Sequence, residues 1–251
     1  MEAKVPTARK IEVYLLPALV EPAELAGKAV VVIDVLRATT TIIHALAAGA
    51  TQVIPCLEVD EARWMAKEMG GEAVLGGERG GQQIPGFDLG NSPLEYTPGA
   101  VSGKTVVFTT TNGTRAMLRC RAARQVLMGA FVNFSAVCRE LAGENEIVLL
   151  CAGTDGHVTR EDALFAGAVV DDLARAAKCT VNDQGQIAAD AWRTAVRLLT
   201  DRPLGIKLRD SRGGRNLIEI GQENDIDIAA QIDKFDIVPQ LDLAAWRIRV
   251  P

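Results

Sequence analysis

Aromatic residues are scarce in this chain of 251 residues, at 4%, and the three Trp and two Tyr form no regularly spaced stacking platform of the kind that binds single-stranded nucleic acid. Basic residues are not in excess: 27 Lys and Arg face 32 Asp and Glu, a net charge of −5. Polyanions and acidic membranes attract proteins through clustered Lys and Arg, so neither nucleic acid nor membrane is expected as a partner. Two His leave few candidates for imidazole chemistry. His44 sits inside the apolar helical pattern 42–46 and reads as structural, and His157 is in a loop. The five Cys, at 56, 120, 138, 151 and 179, form no CxxC pair, no disulfide framework and no zinc cluster with His, so they read as reduced core thiols. No apolar run approaches the roughly 18 residues that cross a bilayer. Residues 1–16 lack an apolar core followed by a small-residue cleavage site, so a cytoplasmic location is expected.

Familiar catalytic motifs are missing too. Residues 76–81 do not match GxGxxG, and the chain contains no GxxxxGK[ST], HExxH or GxSxG. The run from Asp34 lacks the second Asp of the DxD signature of haloacid-dehalogenase-type phosphatases.

What the chain does have is 48% hydrophobic content, enough to offset chain entropy and exclude disorder. That content falls in short β-branched runs, each followed by an amphipathic stretch. Strands are predicted at 11–16, 29–34, 52–55, 73–76, 105–109, 125–128 and 146–151, with a terminal strand at 243–250. Helices are predicted at 40–48, 59–69, 113–120, 133–141, 160–176, 184–199 and 204–217. The fold class is α/β: one domain over 1–251, three αβα layers around a mostly buried, largely parallel or mixed sheet, with a helix-rich C-terminal part.

Ligands of open α/β sheets bind beyond the carboxyl ends of the strands. Four such ends are unusually polar here. They carry Asp34, Arg37 and Thr39-Thr40-Thr41; Glu78 and Arg79; Thr111-Asn112-Gly113-Thr114-Arg115; and Gly153 leading to Glu161 and Asp162. Hydroxyls and helix N-terminal amides suit phosphate oxygens, Arg forks suit acidic groups, and clustered acids suit Mg²⁺. Capping is the plain alternative for each element, with Thr159 to Asp162 fitting a capping box. A salt bridge to Arg37 is the plain alternative for Asp34.

In order, Ile33 to Thr41, Gly77-Glu78, Phe87 to Pro93 with Asn91-Ser92, Thr109 to Thr114, Glu161-Asp162, Ser211 to Leu217, Asp225, Asp227 and Val238-Pro239 resemble the 2-phosphosulfolactate phosphatase family, from about residue 11 onward. The resemblance implies a Mg²⁺-dependent phosphoric monoester hydrolase acting on 2-phosphosulfolactate, a step toward coenzyme M in methanogens, or on a related phosphorylated hydroxy acid. On this reading Asp34, Glu161 and Asp162 hold the metal, and Asp34, Arg37 and Glu161 are catalytic. Arg37, Thr39 to Thr41, Glu78, Arg79, Asn91, Ser92, Thr111 to Thr114, Arg115 and Gly153 meet the small anionic substrate. Asp34 either attacks phosphorus or orients a metal-bound water. The rival readings are a non-catalytic binder of anionic metabolites and a lyase or isomerase on a sulfonated or phosphorylated acid. A homodimer is the candidate assembly.

Overall fold

The computed structural model describes residues 8–197 and 204–251. Strands and helices alternate through most of the chain. They run β1 (Arg9–Tyr14), β2 (Ala29–Ile33), α1 (Ala38–Ala47), β3 (Gln52–Cys56), α2 (Val59–Met69), β4 (Ala73–Arg79), β5 (Gln82–Gln83), α3 (Pro98–Val101), β6 (Thr105–Thr109), α4 (Asn112–Arg119), β7 (Gln125–Gly129), α5 (Phe134–Leu141), β8 (Glu146–Cys151), α6 (Arg160–Ala176), β9 (Cys179–Val181) and α7 (Asp183–Arg197). After these come α8 (Leu204–Arg209), α9 (Arg212–Glu219), α10 (Asn224–Ala229), β10 (Gln240–Asp242) and β11 (Arg247–Arg249).

All strands join one mixed sheet in the order β5-β4-β6-β3-β11-β10-β7-β2-β8-β1-β9. Two parallel blocks, β4-β6-β3 and β7-β2-β8-β1-β9, are joined by the antiparallel hairpin β10-β11. Ile248 pairs with Val53 on one side of that hairpin and Gln240 with Leu127 on the other. Every residue of β2 is fully buried, because successive side chains enter opposite cores. Val30 and Val32 pack with Ile42, Ile43 and Met117 from α1 and α4. Val31 and Ile33 pack with Val137, Leu164 and Phe165 from α5 and α6. The α/β class with helices on both faces is thus as predicted.

The differences are local. The 243–250 run is not one strand: the Asp242 carboxylate accepts hydrogen bonds from the Ala244 and Ala245 amides and turns the chain into a hairpin. The 204–217 helix is broken at Ser211, whose hydroxyl caps α9. Short β9 and α10 carried too little periodicity to predict. Of the 184–199 helix, residues 198 and 199 lie outside the described residues. Cys56, Cys120, Cys138 and Cys151 are buried and free, and burial pushes the first two up to about 12. No described helix is long and apolar enough to cross a membrane.

Candidate active site

A crevice of about 340 Å³ opens at the carboxyl ends of β2, β4, β6 and β8. Asp34, Arg37, Glu78, Gly81, Asn91, Thr110, Thr111, Asn112, Thr154 and Asp155 line it from the sheet side, and α9 covers it with Gly213, Asn216, Leu217, Glu219 and the following Ile220.

Asp34 ends β2 where the chain turns into α1. Its Oδ1 accepts from the Ala38 amide at 3.1 Å, and the Asp34 amide donates to Thr39 Oγ1. A Cβ on Gly113 would lie 3.0 Å from Oδ2, so glycine there leaves that oxygen its space. Burial, reinforced by the Glu78 and Glu161 charges, pushes the Asp34 carboxyl up to about 7 against the Ala38 hydrogen bond and Arg37.

Glu161, on the first turn of α6, is 1% exposed. Its Oε1 accepts from the Gly213 amide at 3.1 Å, while Oε2 is buried without a partner. A Cβ on Gly213 would collide with Oε1, so α9 can settle over Glu161 only with glycine there. Burial raises the Glu161 carboxyl.

Asp162 accepts from the Val35 amide at 2.9 Å and the Gly153 amide at 3.0 Å, one per oxygen, tying the β2 and β8 loops together. Burial, then the Glu161 and Asp34 charges, raise its carboxyl well above the usual range. Both Asp162 oxygens are thus taken by amides, and among the described residues no group of three or more His, Cys, Asp or Glu side chains that could hold a metal is found. Two carboxylates remain, Asp34 and Glu161 with its orphaned Oε2. Such a donor set fits Mg²⁺, which takes one or two carboxylates and completes its shell with water and phosphate oxygens.

Arg37 does not pair with Asp34. Its guanidinium donates to Asp225 Oδ2 at 2.7 Å, to Gln222 Oε1 and to Gly81 O at 2.6 Å. The Arg37–Asp225 pair is only 3% exposed on either side chain, and Ser92 Oγ donates to the other Asp225 oxygen at 2.6 Å. Ser92 thus braces Asp225 outside the crevice lining.

Several residues expected to meet the substrate have protein partners here. Thr39, Thr40 and Thr41 are fully buried, and their hydroxyls donate to the carbonyls of Gly129, Val35 and Asn91. Arg79 turns away to the carbonyls of Glu78 and Leu57 and to Thr109 Oγ1, at 2.6–3.0 Å. Arg115 is exposed on α4, whose neighbours Thr114 and Ala116 face inward, and it is outside the lining. Glu78 lines the crevice but accepts from the Thr111 and Gly81 amides. Thr114 is buried beside Thr110 Oγ1, and Gly153 holds the β8 loop at φ 65°. Thr159 makes no cap; its hydroxyl is buried without a partner, so the capping box does not form. Asn91, with an unpartnered Oδ1, and Thr111 and Asn112 do line the crevice.

Sequence reasoning assigned no role to Asp225, Gln222 or the wall of α9. A signal was present in Gly213-Gly214, since paired glycines inside a helical pattern usually serve close packing.

A family model described as 2-phosphosulpholactate phosphatase matches residues 14–243. Three similar proteins, each called a probable 2-phosphosulfolactate phosphatase, come from Caldanaerobacter subterraneus subsp. tengcongensis, Carboxydothermus hydrogenoformans and Thermotoga maritima. The first is 42% identical over 87% of this chain and 89% of its own. The second is 40% identical over 95% and 96%, and the third 44% identical over 84% and 88%. On the match across most of its length, the chain belongs to the 2-phosphosulpholactate phosphatase family, a family of phosphoric monoester hydrolases.

Proposed function

We propose that this protein is a Mg²⁺-dependent phosphatase that hydrolyses a phosphorylated 2-hydroxy acid, 2-phosphosulfolactate or a relative of it, to the hydroxy acid and inorganic phosphate. The observation that carries this reading is the charge of the crevice. Asp34, Glu78, Asp155 and Glu219 line it, and Arg37, the basic lining residue among those described, is already paired with Asp225. A crevice with that lining repels a phosphate dianion unless a divalent cation comes between.

Asp34 and Glu161 are the residues that would hold Mg²⁺, which when bound neutralises charge on the phosphoryl oxygens. Asp34 accepts a hydrogen bond from the attacking water through its open Oδ2, with Oδ1 fixed by the Ala38 amide. Water adds to phosphorus as the ester P–O bond breaks, its proton passing by way of Asp34 Oδ2 to the departing alkoxide oxygen, and the Asn112 and Gly113 amides at the start of α4 receive phosphoryl oxygens, the Thr114 amide being bonded to Thr110. Three N–H groups of Arg37 are committed, which leaves two of the five for the substrate carboxylate.

The test is phosphate release from a panel of phosphorylated hydroxy acids. EDTA should stop release and Mg²⁺ or Mn²⁺ restore it. Full activity after exhaustive chelation, or a tightly held zinc, would remove the metal assignment. Tight binding without release would favour a non-catalytic binder, and turnover without phosphate a lyase or isomerase.

A further inference from the structure

We infer that Ser92 and Asp225, neither of which lines the crevice, are positioning residues for substrate recognition: together they hold the Arg37 guanidinium by its Nη1 end and keep donors on Nε and Nη2 open to the substrate carboxylate. The inference rests on the phosphatase reading above and names what sets the direction of its carboxylate-binding group.

Neither residue has its ordinary local role. Ser92 stands directly before the short 3-10 turn Pro93–Glu95, where a serine hydroxyl commonly accepts from a backbone amide. It makes no such bond and donates to Asp225 Oδ1 at 2.6 Å instead. Asp225 is in the first turn of α10, where an acid commonly meets the helix dipole from the surface, yet it is 2% exposed and bonded to Arg37. A buried ion pair is weak support for a fold, because apolar side chains of similar volume often do as well. Burying Ser92, Asp225 and Arg37 in one chain beside the crevice therefore serves the orientation of the guanidinium rather than the stability of the core.

The hydrogen bonds show what that orientation preserves. Guanidinium and carboxylate frequently meet through two parallel N–H···O bonds. Here only Asp225 Oδ2 accepts, from Nη1 at 2.7 Å, while Ser92 occupies Oδ1. Gln222 Oε1 takes the other Nη1 hydrogen, and Gly81 O takes one from Nη2 at 2.6 Å. What remains is Nε–H and one Nη2–H, on two neighbouring nitrogens of the fork. Without the Ser92 hydroxyl, Asp225 Oδ1 can turn to a further Arg37 N–H and draw it away from the substrate. Ser92 is itself held from α1, the helix that begins directly after Arg37, because the Thr41 hydroxyl donates to the adjoining Asn91 carbonyl at 2.8 Å. The brace and the arginine it orients are thus fixed to the same helix.

The experiment measures kcat and KM for 2-phosphosulfolactate and for its carboxamide, in which the carboxylate is replaced by a neutral group. Wild type, Ser92→Ala, Arg37→Lys and the double variant are compared. Ser92→Ala should raise KM for the acid about fivefold, with kcat and the carboxamide KM changed less than about twofold. In the Arg37→Lys background the same substitution should have almost no effect, since the fork it orients is gone. Equal KM rises on both esters, no change on either, or an undiminished effect in the Arg37→Lys background overturns the inference and leaves the phosphatase reading intact. If wild type hydrolyses neither ester, the phosphatase reading falls, and calorimetry with sulfolactate and its carboxamide decides the inference on binding alone. A carboxylate preference that Ser92→Ala abolishes supports it; a preference that Ser92→Ala retains, or none in wild type, overturns it.

Discussion

At the scale of single residues, the lesson lies in the arginines. The order of loops places Arg37, Arg79 and Arg115 near strand ends, but a long side chain goes to whichever acceptors its neighbourhood leaves open, and those come from distant segments such as Leu57 and Asp225. Position was legible in the sequence; direction was not. Removing Asp225 leaves Arg37 buried and unpaired, so Asp225→Ala should lower stability by about 3 kcal/mol, read as a shift in the urea midpoint. Asp34→Asn should abolish phosphate release with an unchanged circular dichroism spectrum; near wild-type turnover would make Asp34 merely structural. His44 offers a pH test. Burial, with Lys234 nearby, depresses it to about 4, and its Nε2 has no partner beside Phe235. The unfolded chain therefore binds that proton first as pH falls, and His44's contribution is present above pH 6.5 and lost between there and about 4. The full loss is about 3 kcal/mol. Asp34, pushed up to about 7, gains stability as it protonates and so works in the opposite direction. The readout is therefore comparative: Glu161 and Asp162 are also raised, so whatever the sign of the net change, lowering the pH from 7 to 5 should favour the folded state more in His44→Leu than in wild type.

At the scale of elements, long periodic segments such as α2 and α6 were legible to the residue, because an apolar stripe repeated over three or more turns has one interpretation. The segment 204–217 has the same periodicity, yet Ser211 donates to Leu208 O at 2.6 Å and accepts from the Gly214 amide at 3.0 Å, starting a new helix over the crevice. That cap sets the angle of the wall that carries Leu217 and Ile220. Ser211→Ala should cost about 1 kcal/mol and loosen α9, raising KM more than it lowers kcat, while Ser211→Thr should keep both near wild type. Equal KM values in all three proteins would detach the cap from the site.

At the scale of the whole molecule, the class of fold was legible and the strand order was not. Alternation reports that strands and helices follow one another, whereas the hairpin β10-β11 enters the middle of the sheet through two short contacts that local pattern does not encode. Ile248, fully buried in that hairpin, pairs with β3, so Ile248→Ala should cost about 3 kcal/mol and weaken both blocks together. One shared transition by near-ultraviolet dichroism and tryptophan fluorescence is expected; two separate transitions would show the blocks to be independent. The inserted hairpin also has a consequence during synthesis. On the ribosome, both parallel blocks can form well before residues 240–249 emerge, leaving β3 and β7 as facing, unsealed edges. The closing piece from a neighbouring nascent chain on the same message fits that slot as well as the chain's own, so rapid overexpression should yield strand-exchanged dimers that dilution alone does not separate.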